Sequence, residues 1–247
     1  MKNNFFFRYK SSNIYRSPSK LSEVTSQILY GEKFIILSKN KNWIKIKTHF
    51  DNYIGFIKNK NYTDNQNSTH KVFILKAHVY NNQKNKKDFL PFGSKISIIN
   101  ENKSFIQFEK NKWIKKKDIK NIEHKEFNYL RIFRLFLKTK YMWGGKTYRG
   151  IDCSAILQLF FYYNNKFYPR DTKDQIKYSK RNLKKKIFKK GDIIFWKGHV
   201  AICINSKKLI HAYGPEKKVI IMPIIKTIDI IKKTANLTIK KISQIKY

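Results

Sequence analysis

Three things are scarce in this chain. Its 247 residues include two cysteines, five prolines, and only 16 Asp or Glu against 54 Lys or Arg. Two cysteines, Cys153 and Cys203, exclude a disulfide framework. Long apolar runs are missing as well: no stretch approaches the roughly 20 residues that a membrane-spanning helix needs. The opening "MKNNFFFRYK" has an apolar run too short for a signal peptide, and no small-residue cleavage site follows it. The expectation is a cytoplasmic protein with reduced thiols and no transmembrane segment. The shortage of acid leaves a formal net charge of +38. Such a balance suits polyanions such as nucleic acid, anionic membrane or acidic wall polymers. The lysines are spread along the chain, however, with only short runs such as Lys115 to Lys117 and Lys184 to Lys186, and there is no Arg-rich arm. The charge reads as a compositional habit, Lys, Asn and Ile being abundant throughout, and no specific nucleic-acid partner is expected.

What the chain does contain is apolar and aromatic material, 41% and 15% of its residues, enough to bury a core. Residues 14–62 hold short runs of Ile and aromatics, "FIIL", "WIKIK" and "YIGFIK", separated by the turn signals "YGEK" and "NKN". Residues 72–120 repeat the arrangement. Gly31 aligns with Gly93 and Ile44 with Ile106, both 62 positions apart, whereas Ile57 aligns with Ile114 at 57, so the second copy is shorter in the hairpin that holds "THFDN" in the first. Two tandem all-β units of this size predict small SH3-like barrels. The third segment begins with a helical pattern, Phe127, Leu130, Phe133, Leu135 and Leu137, and a second apolar helix, "SAILQLFFYYNN". Four β-branched runs follow, "GDIIFWKG", "HVAICIN", "LIHAYG" and "VIIMPI", which predict an antiparallel sheet. Helices first and strands after define an α+β domain. The expected division is a first barrel over 1–66, a second over 67–121 and the α+β domain over 122–247.

Cys153 lies within "YMWGGKTYRGIDCSAILQLF", residues 141–160. Gly150 frees the backbone just before it, and Asp152 or Ser154 can cap the helix that follows, which puts Cys153 in the first turn. Unpaired N–H groups and a partial positive charge at that end favour thiolate, the reactive form, and can hold an oxyanion. A thiolate nucleophile needs a base. Of six histidines, His49, His70, His78 and His124 lie in the barrels or the linker, and His199 and His211 lie in the third segment with Cys153. The two are 12 residues apart, a spacing suited to adjacent antiparallel strands about 4.8 Å apart. His211 can then orient the His199 ring in a Cys–His–His triad. A packing role for the cysteine and structural histidines remain open on these residues alone. A Cys/His/His zinc site lacks the close ligand pairs of a zinc motif. Cys203, in the middle of "VAICI", reads as core.

The order Y-x-W-G-G, G-I-D-C-S, P-R-D-T-x-x-Q, G-D-I-I-F-W, H-V-A-I and I-H-A, from Tyr141 to about Met222, resembles the NlpC-type cysteine peptidases, papain-like hydrolases of cell-wall peptides. The resemblance implies Cys153 as nucleophile, His199 as general base, His211 as the orienting residue and Tyr141 as an aid to the oxyanion. It implies Asp152 and Ser154 as contacts of the substrate's N-terminal end, with Thr172 lining the same pocket. Ala155 departs from the Gly usual in the family, a change expected to be tolerated. Tandem SH3-like barrels before such a domain resemble the γ-D-glutamyl-L-diamino acid peptidases, the dipeptidyl-peptidase VI group. There a Glu in a motif like "LYGE" and a Tyr in one like "DNYIGF" close the pocket around a free amine; here these are Glu32 and Tyr53. Read from the residues alone, Glu32 is a solvated turn residue. The implied substrate is a peptidoglycan-derived peptide with free L-Ala, cut after γ-D-Glu without metal or cofactor, during recycling of wall fragments; the third residue, Lys or diaminopimelate, is left open. Two alternatives stand beside this: an endopeptidase acting on polymeric peptidoglycan, and a non-catalytic basic binding protein.

Overall fold

The computed structural model describes residues 4–180, 182–184 and 187–245. The first three residues of the opening stretch, and Lys185 and Lys186 of the short basic run, lie outside the described residues. The chain divides into two compact units, one ending at Lys125 and the other beginning at Glu126.

The first unit is all-β. Strands β1 (Asn4–Phe7), β2 (Ser11–Tyr15), β3 (Val24–Leu29), β4 (Lys33–Asn40), β5 (Trp43–Thr48), β6 (Ile54–Lys58) and β7 (Tyr62–Thr63) form one sheet in the order β3-β2-β6-β5-β4-β1-β7. Alternation explains it: in β5, Ile44, Ile46 and Thr48 point inward while Trp43, Lys45 and Lys47 are half-buried. With Phe7, Ile14, Ile28, Phe34 and Ile57 these isoleucines make a closed core, each fully buried one contributing about 1.5–3 kcal/mol. The second half follows with β8 (His70–Val72), β9 (Lys76–Asn81), β10 (Asn85–Pro91), β11 (Lys95–Ile96), β12 (Asn100–Glu101), β13 (Phe105–Glu109), β14 (Lys112–Lys115) and β15 (Ile119–Asn121). They form a five-stranded sheet, β10-β9-β14-β13-β12, and a three-stranded one, β11-β8-β15.

The repeat seen in the sequence is a repeat of register. Ile44 faces Ile57 across β5 and β6, and Ile106 faces Ile114 across β13 and β14. Gly31 and Gly93 both turn with positive φ, 73° and 82°. The two halves are not independent bodies: Tyr30 of the first sits in the core of the second, edge-on to Phe108. Its hydroxyl reaches Glu109, which also pairs with Arg8 at 3.1 Å and Lys112 at 2.6 Å.

The second unit is α+β. Helices α1 (Tyr129–Leu135), α2 (Cys153–Tyr163) and α3 (Thr172–Tyr178) come first, with a small hairpin of β16 (Lys146–Thr147) and β17 (Gly150–Ile151) between α1 and α2. A sheet of β18 (Asp192–Trp196), β19 (His199–Cys203), β20 (Lys208–Tyr213), β21 (Lys218–Pro223) and β22 (Lys241–Gln244) follows, antiparallel in the order β21-β20-β19-β18-β22. Every side chain of α2 is buried, and the helix packs on β19 and β20.

Two expectations about the order and extent of elements are corrected. Helix α4 (Ile224–Ala235) lies after four of the strands, not before them. It buries Ile224, Thr227 and Ile231 along one face and starts directly after Pro223, the last residue of β21. Helix α1 is shorter than the pattern from Phe127 to Leu137 predicts. Phe127 and Leu137 are 66% and 36% exposed, and Ile132 and Phe136 fill the core beside Leu130 and Phe133. The helix ends at Leu135 with Phe136 as its C-cap, and Lys138 turns the chain away with φ 67°. Among the described residues no helix is long and apolar enough to cross a membrane.

Candidate active site

The site is built around the start of α2. Asp152 is the cap: its Oδ1 accepts from the Ala155 N–H at 2.8 Å, and its backbone is extended. Its Oδ2 accepts from the Gly144 N–H at 3.0 Å, tying the "WGG" turn to the helix. That turn needs glycine, since a Cβ on Gly145 would lie 2.5 Å from the Gly150 carbonyl and 2.8 Å from that of Met142. Arg170 then clamps the same carboxylate with both terminal nitrogens, Nη2 at 2.6 Å from Oδ2 and Nη1 at 3.0 Å from Oδ1. Ser154 joins in, its hydroxyl donating to Asp152 at 3.0 Å and accepting from Arg170 at 2.8 Å. All three side chains are buried, so this is a dry, two-pronged ion pair. Gln175 holds the backbone around it, donating to the carbonyls of Ser154 and Pro169 at 3.0 and 2.9 Å.

Cys153 is thereby fixed at the first helical position, 3% exposed. Its sulfur lies 3.9 Å from the Gly198 carbonyl and receives the N–H of Val200 and the hydroxyl of Thr172. It therefore sits against the two residues that flank His199 at the start of β19, and the His199 ring is not among its hydrogen-bond partners. That ring is held by the other histidine, His199 Nε2 to His211 Nδ1 at 2.9 Å. The two come from β19 and β20, which pair as the 12-residue spacing predicts. His211 is fully buried, stacks on Tyr213 with ring centroids 4.7 Å apart, and presents its Nε2 to the Met222 sulfur at 3.3 Å.

The electrostatics run against a resting ion pair. Burial, with the Asp152 carboxylate adding to it, pushes the Cys153 thiol up to about 12, although the Val200 N–H, the Thr172 hydroxyl and Arg170 oppose it. Burial also pushes His199 down to about 4 and His211 well below its ordinary value, the latter further depressed by His199. At neutral pH the group is a thiol beside two neutral imidazoles. Burial thus opposes the preference for thiolate that the helix end provides, since a charge in a dry setting costs more than one helix turn returns. Tyr141 is bridged to Ile151 and bonded to the Lys217 carbonyl at 2.9 Å. Its phenol is raised by burial first and then by Cys153 and Asp152, which keeps it a donor.

Of the other expected residues, Thr172 opens α3 and meets the thiol directly. Ala155 is buried in the first turn and Cys203 in the sheet core. In the first unit Glu32 is 2% exposed, its Oε2 accepting from the Leu29 N–H at 3.0 Å, so it is not a solvated turn residue. Tyr53 is half-buried and donates to the Thr25 carbonyl at 3.4 Å. Arg170, Gln175 and Met222 had been given no role. The first two stand in "PRDTKDQ", where nothing local joins Arg170 to Asp152, 18 positions earlier, and nothing in "VIIMPI" points to Met222. Among the described residues no group of three or more His, Cys, Asp or Glu is placed to hold a metal ion.

A cysteine on the first turn of a buried helix, packed on an antiparallel sheet that supplies a histidine pair, defines a papain-like arrangement. The comparisons agree. Residues 138–234 match the NlpC/P60 family and residues 14–61 the bacterial dipeptidyl-peptidase SH3 domain. The chain thus carries an NlpC/P60 domain with a bacterial SH3-like domain ahead of it. It is 24% identical over 243 residues to a γ-D-glutamyl-L-lysine dipeptidyl-peptidase of Bacillus cereus, covering 82% of this chain and 71% of that one. It is 24% identical over 230 residues to dipeptidyl-peptidase 6 of Lysinibacillus sphaericus, covering 81% and 84%. A probable endopeptidase NlpC homolog of Haemophilus influenzae is 36% identical over 86 residues, 33% of this chain and 45% of that one. The fold is that of an NlpC/P60 family protein from Bacillus cereus, with a TM-score of 0.77 at 20% identity over 89% of this chain and 94% of that one.

Proposed function

We propose that this chain is a cysteine peptidase that hydrolyses the bond between γ-D-Glu and a diamino acid in wall-derived peptides with a free N-terminal L-Ala. The observation that carries the reading is the 2.9 Å His199–His211 bond beside a cysteine at the capped start of α2. Two relatives whose printed name is γ-D-glutamyl-L-lysine dipeptidyl-peptidase align over more than four fifths of the chain and support the choice of bond.

In this reading the Cys153 proton passes to the bare nitrogen of His199 as the sulfur bonds to the γ-carbonyl carbon of D-Glu. The N–H groups of the first turn, which lack intrahelical acceptors, and the Tyr141 hydroxyl take the oxyanion. As the C–N bond breaks, the diamino acid's amine takes the proton from His199. Water, deprotonated by His199, then attacks the thioester, the C–S bond breaks, and L-Ala-γ-D-Glu leaves. Ser154 and Thr172 line the pocket in this reading, and selection of the free amine is the role that the family resemblance gives Glu32 and Tyr53. Such a substrate is a released fragment and not intact wall, which suits recycling.

The test is hydrolysis of L-Ala-γ-D-Glu-L-Lys and of its diaminopimelate analogue, alongside N-acetylated peptide, Cys153→Ala and Glu32→Gln. Cleavage at the γ-bond that disappears in Cys153→Ala and falls sharply with N-acetylation or Glu32→Gln is the expected result. Cleavage of polymeric peptidoglycan that ignores both would make it a wall endopeptidase. No cleavage of either would refute catalysis as its role.

A further inference from the structure

The histidine pair has a third member. In the register of β20 and β21, His211 faces Ile220 and Leu209 faces Met222, so His211 and Met222 are diagonal neighbours on one face of the sheet. The His211 Nε2 and the Met222 sulfur are 3.3 Å apart in a buried setting. A neutral imidazole carries one N–H and one bare nitrogen, whereas a thioether only accepts. If His211 is protonated at Nε2, it donates to Met222, its bare Nδ1 accepts from the His199 Nε2–H, and His199 Nδ1 is left bare. The opposite tautomer donates from His211 Nδ1 to His199 Nε2. The His199 proton then sits on Nδ1, and the lone pair of His211 Nε2 faces the lone pairs of the sulfur.

We propose that Met222 is a positioning residue: as an acceptor-only partner it holds His211 in the Nε2–H tautomer, and through it keeps His199 Nδ1 free to take a proton. Burial holds both rings neutral at pH 7, so the tautomer and not the charge is what remains to be set. The inference rests on the reading of His199 as general base, but the tautomer itself can be measured without any turnover.

Long-range proton–nitrogen NMR of the imidazoles at pH 7 is the experiment, on wild type, Met222→Leu and Met222→Gln. Wild type is expected to show His211 and His199 each protonated at Nε2. Met222→Leu, a volume-conserving change, is expected to leave His211 averaging between tautomers. Its kcat on the tripeptide should be lower by about tenfold with KM unchanged, as for loss of one modest hydrogen bond. Met222→Gln, which restores an acceptor oxygen, should recover the Nε2–H signal and most of kcat. A wild-type spectrum with the His211 proton on Nδ1 overturns the proposal whatever the variants do. So does a Met222→Leu protein with unchanged imidazole signals. A wild type that shows the expected tautomers but cleaves nothing would count against the peptidase reading alone.

Discussion

A thiol buried between a backbone carbonyl, a backbone N–H and a hydroxyl behaves differently from one paired with imidazolium. Cys153, pushed up to about 12, is expected to react slowly with iodoacetamide at pH 7 and to accelerate steadily as pH rises toward that value. Labelling followed by intact-mass spectrometry measures this, and fast labelling at neutral pH would mean that the pair is already ionised. In the proposed reaction the base sets the other limit. His199 must be neutral to take the proton, and burial keeps it so down to about 4, so kcat/KM should hold level from pH 8 and fall only as pH approaches that value. Arg170 offers a separate test. It is the buried partner of Asp152, so Arg170→Met, which strands that carboxylate, is expected to cost about 3–5 kcal/mol in urea unfolding. Cys153, His199 and His211 were legible because motif order and strand spacing expose them. The Arg170 clamp was not, because two residues 18 positions apart meet only through the path of helix α2 and the loop that follows it.

Short elements carry the constraints between them. The turn at Gly31 has φ 73°, and a Cβ there would collide with the Lys95 carbonyl, at the seam where Tyr30 enters the second β core. Gly31→Ala therefore combines a disfavoured backbone with a clash against main chain, and about 2 kcal/mol or more should be lost in a denaturant titration. If the variant matches wild type, the seam is more yielding than its contacts imply. The β repeat was readable because period-two alternation survives in both copies. Helix α4 was harder to see. Its "IIKTIDII" is dense in β-branched residues and follows a true strand, so local propensity points to sheet. Only the spacing of Ile224, Thr227 and Ile231 reveals a helical face. Helix α1 erred the other way, since its apolar pattern outlasts the helix.

Across the whole molecule, a net charge of +38 has few acids to offset it. Self-repulsion of that kind is screened by salt, with a Debye length of about 30 Å at 0.01 M and 3 Å at 1 M. Thermal scans should show Tm rising by several degrees between low salt and 0.5 M NaCl; a flat or falling Tm would mean that local pairs such as Arg8–Glu109 and Lys10–Asp88 dominate instead. The strand order of the sheet in the second unit has a consequence for how the protein is made. Strand β18 lies between β19 and β22, and β22 is formed by residues 241–244. As the chain leaves the ribosome, the strands bearing both histidines can zip together while one edge of β18 still stands open. That edge, Asp192–Trp196, is entirely apolar after its first residue and is a ready template for pairing with another nascent chain. Delay between these two stretches of synthesis is thus the interval in which the newborn enzyme is most exposed to aggregation.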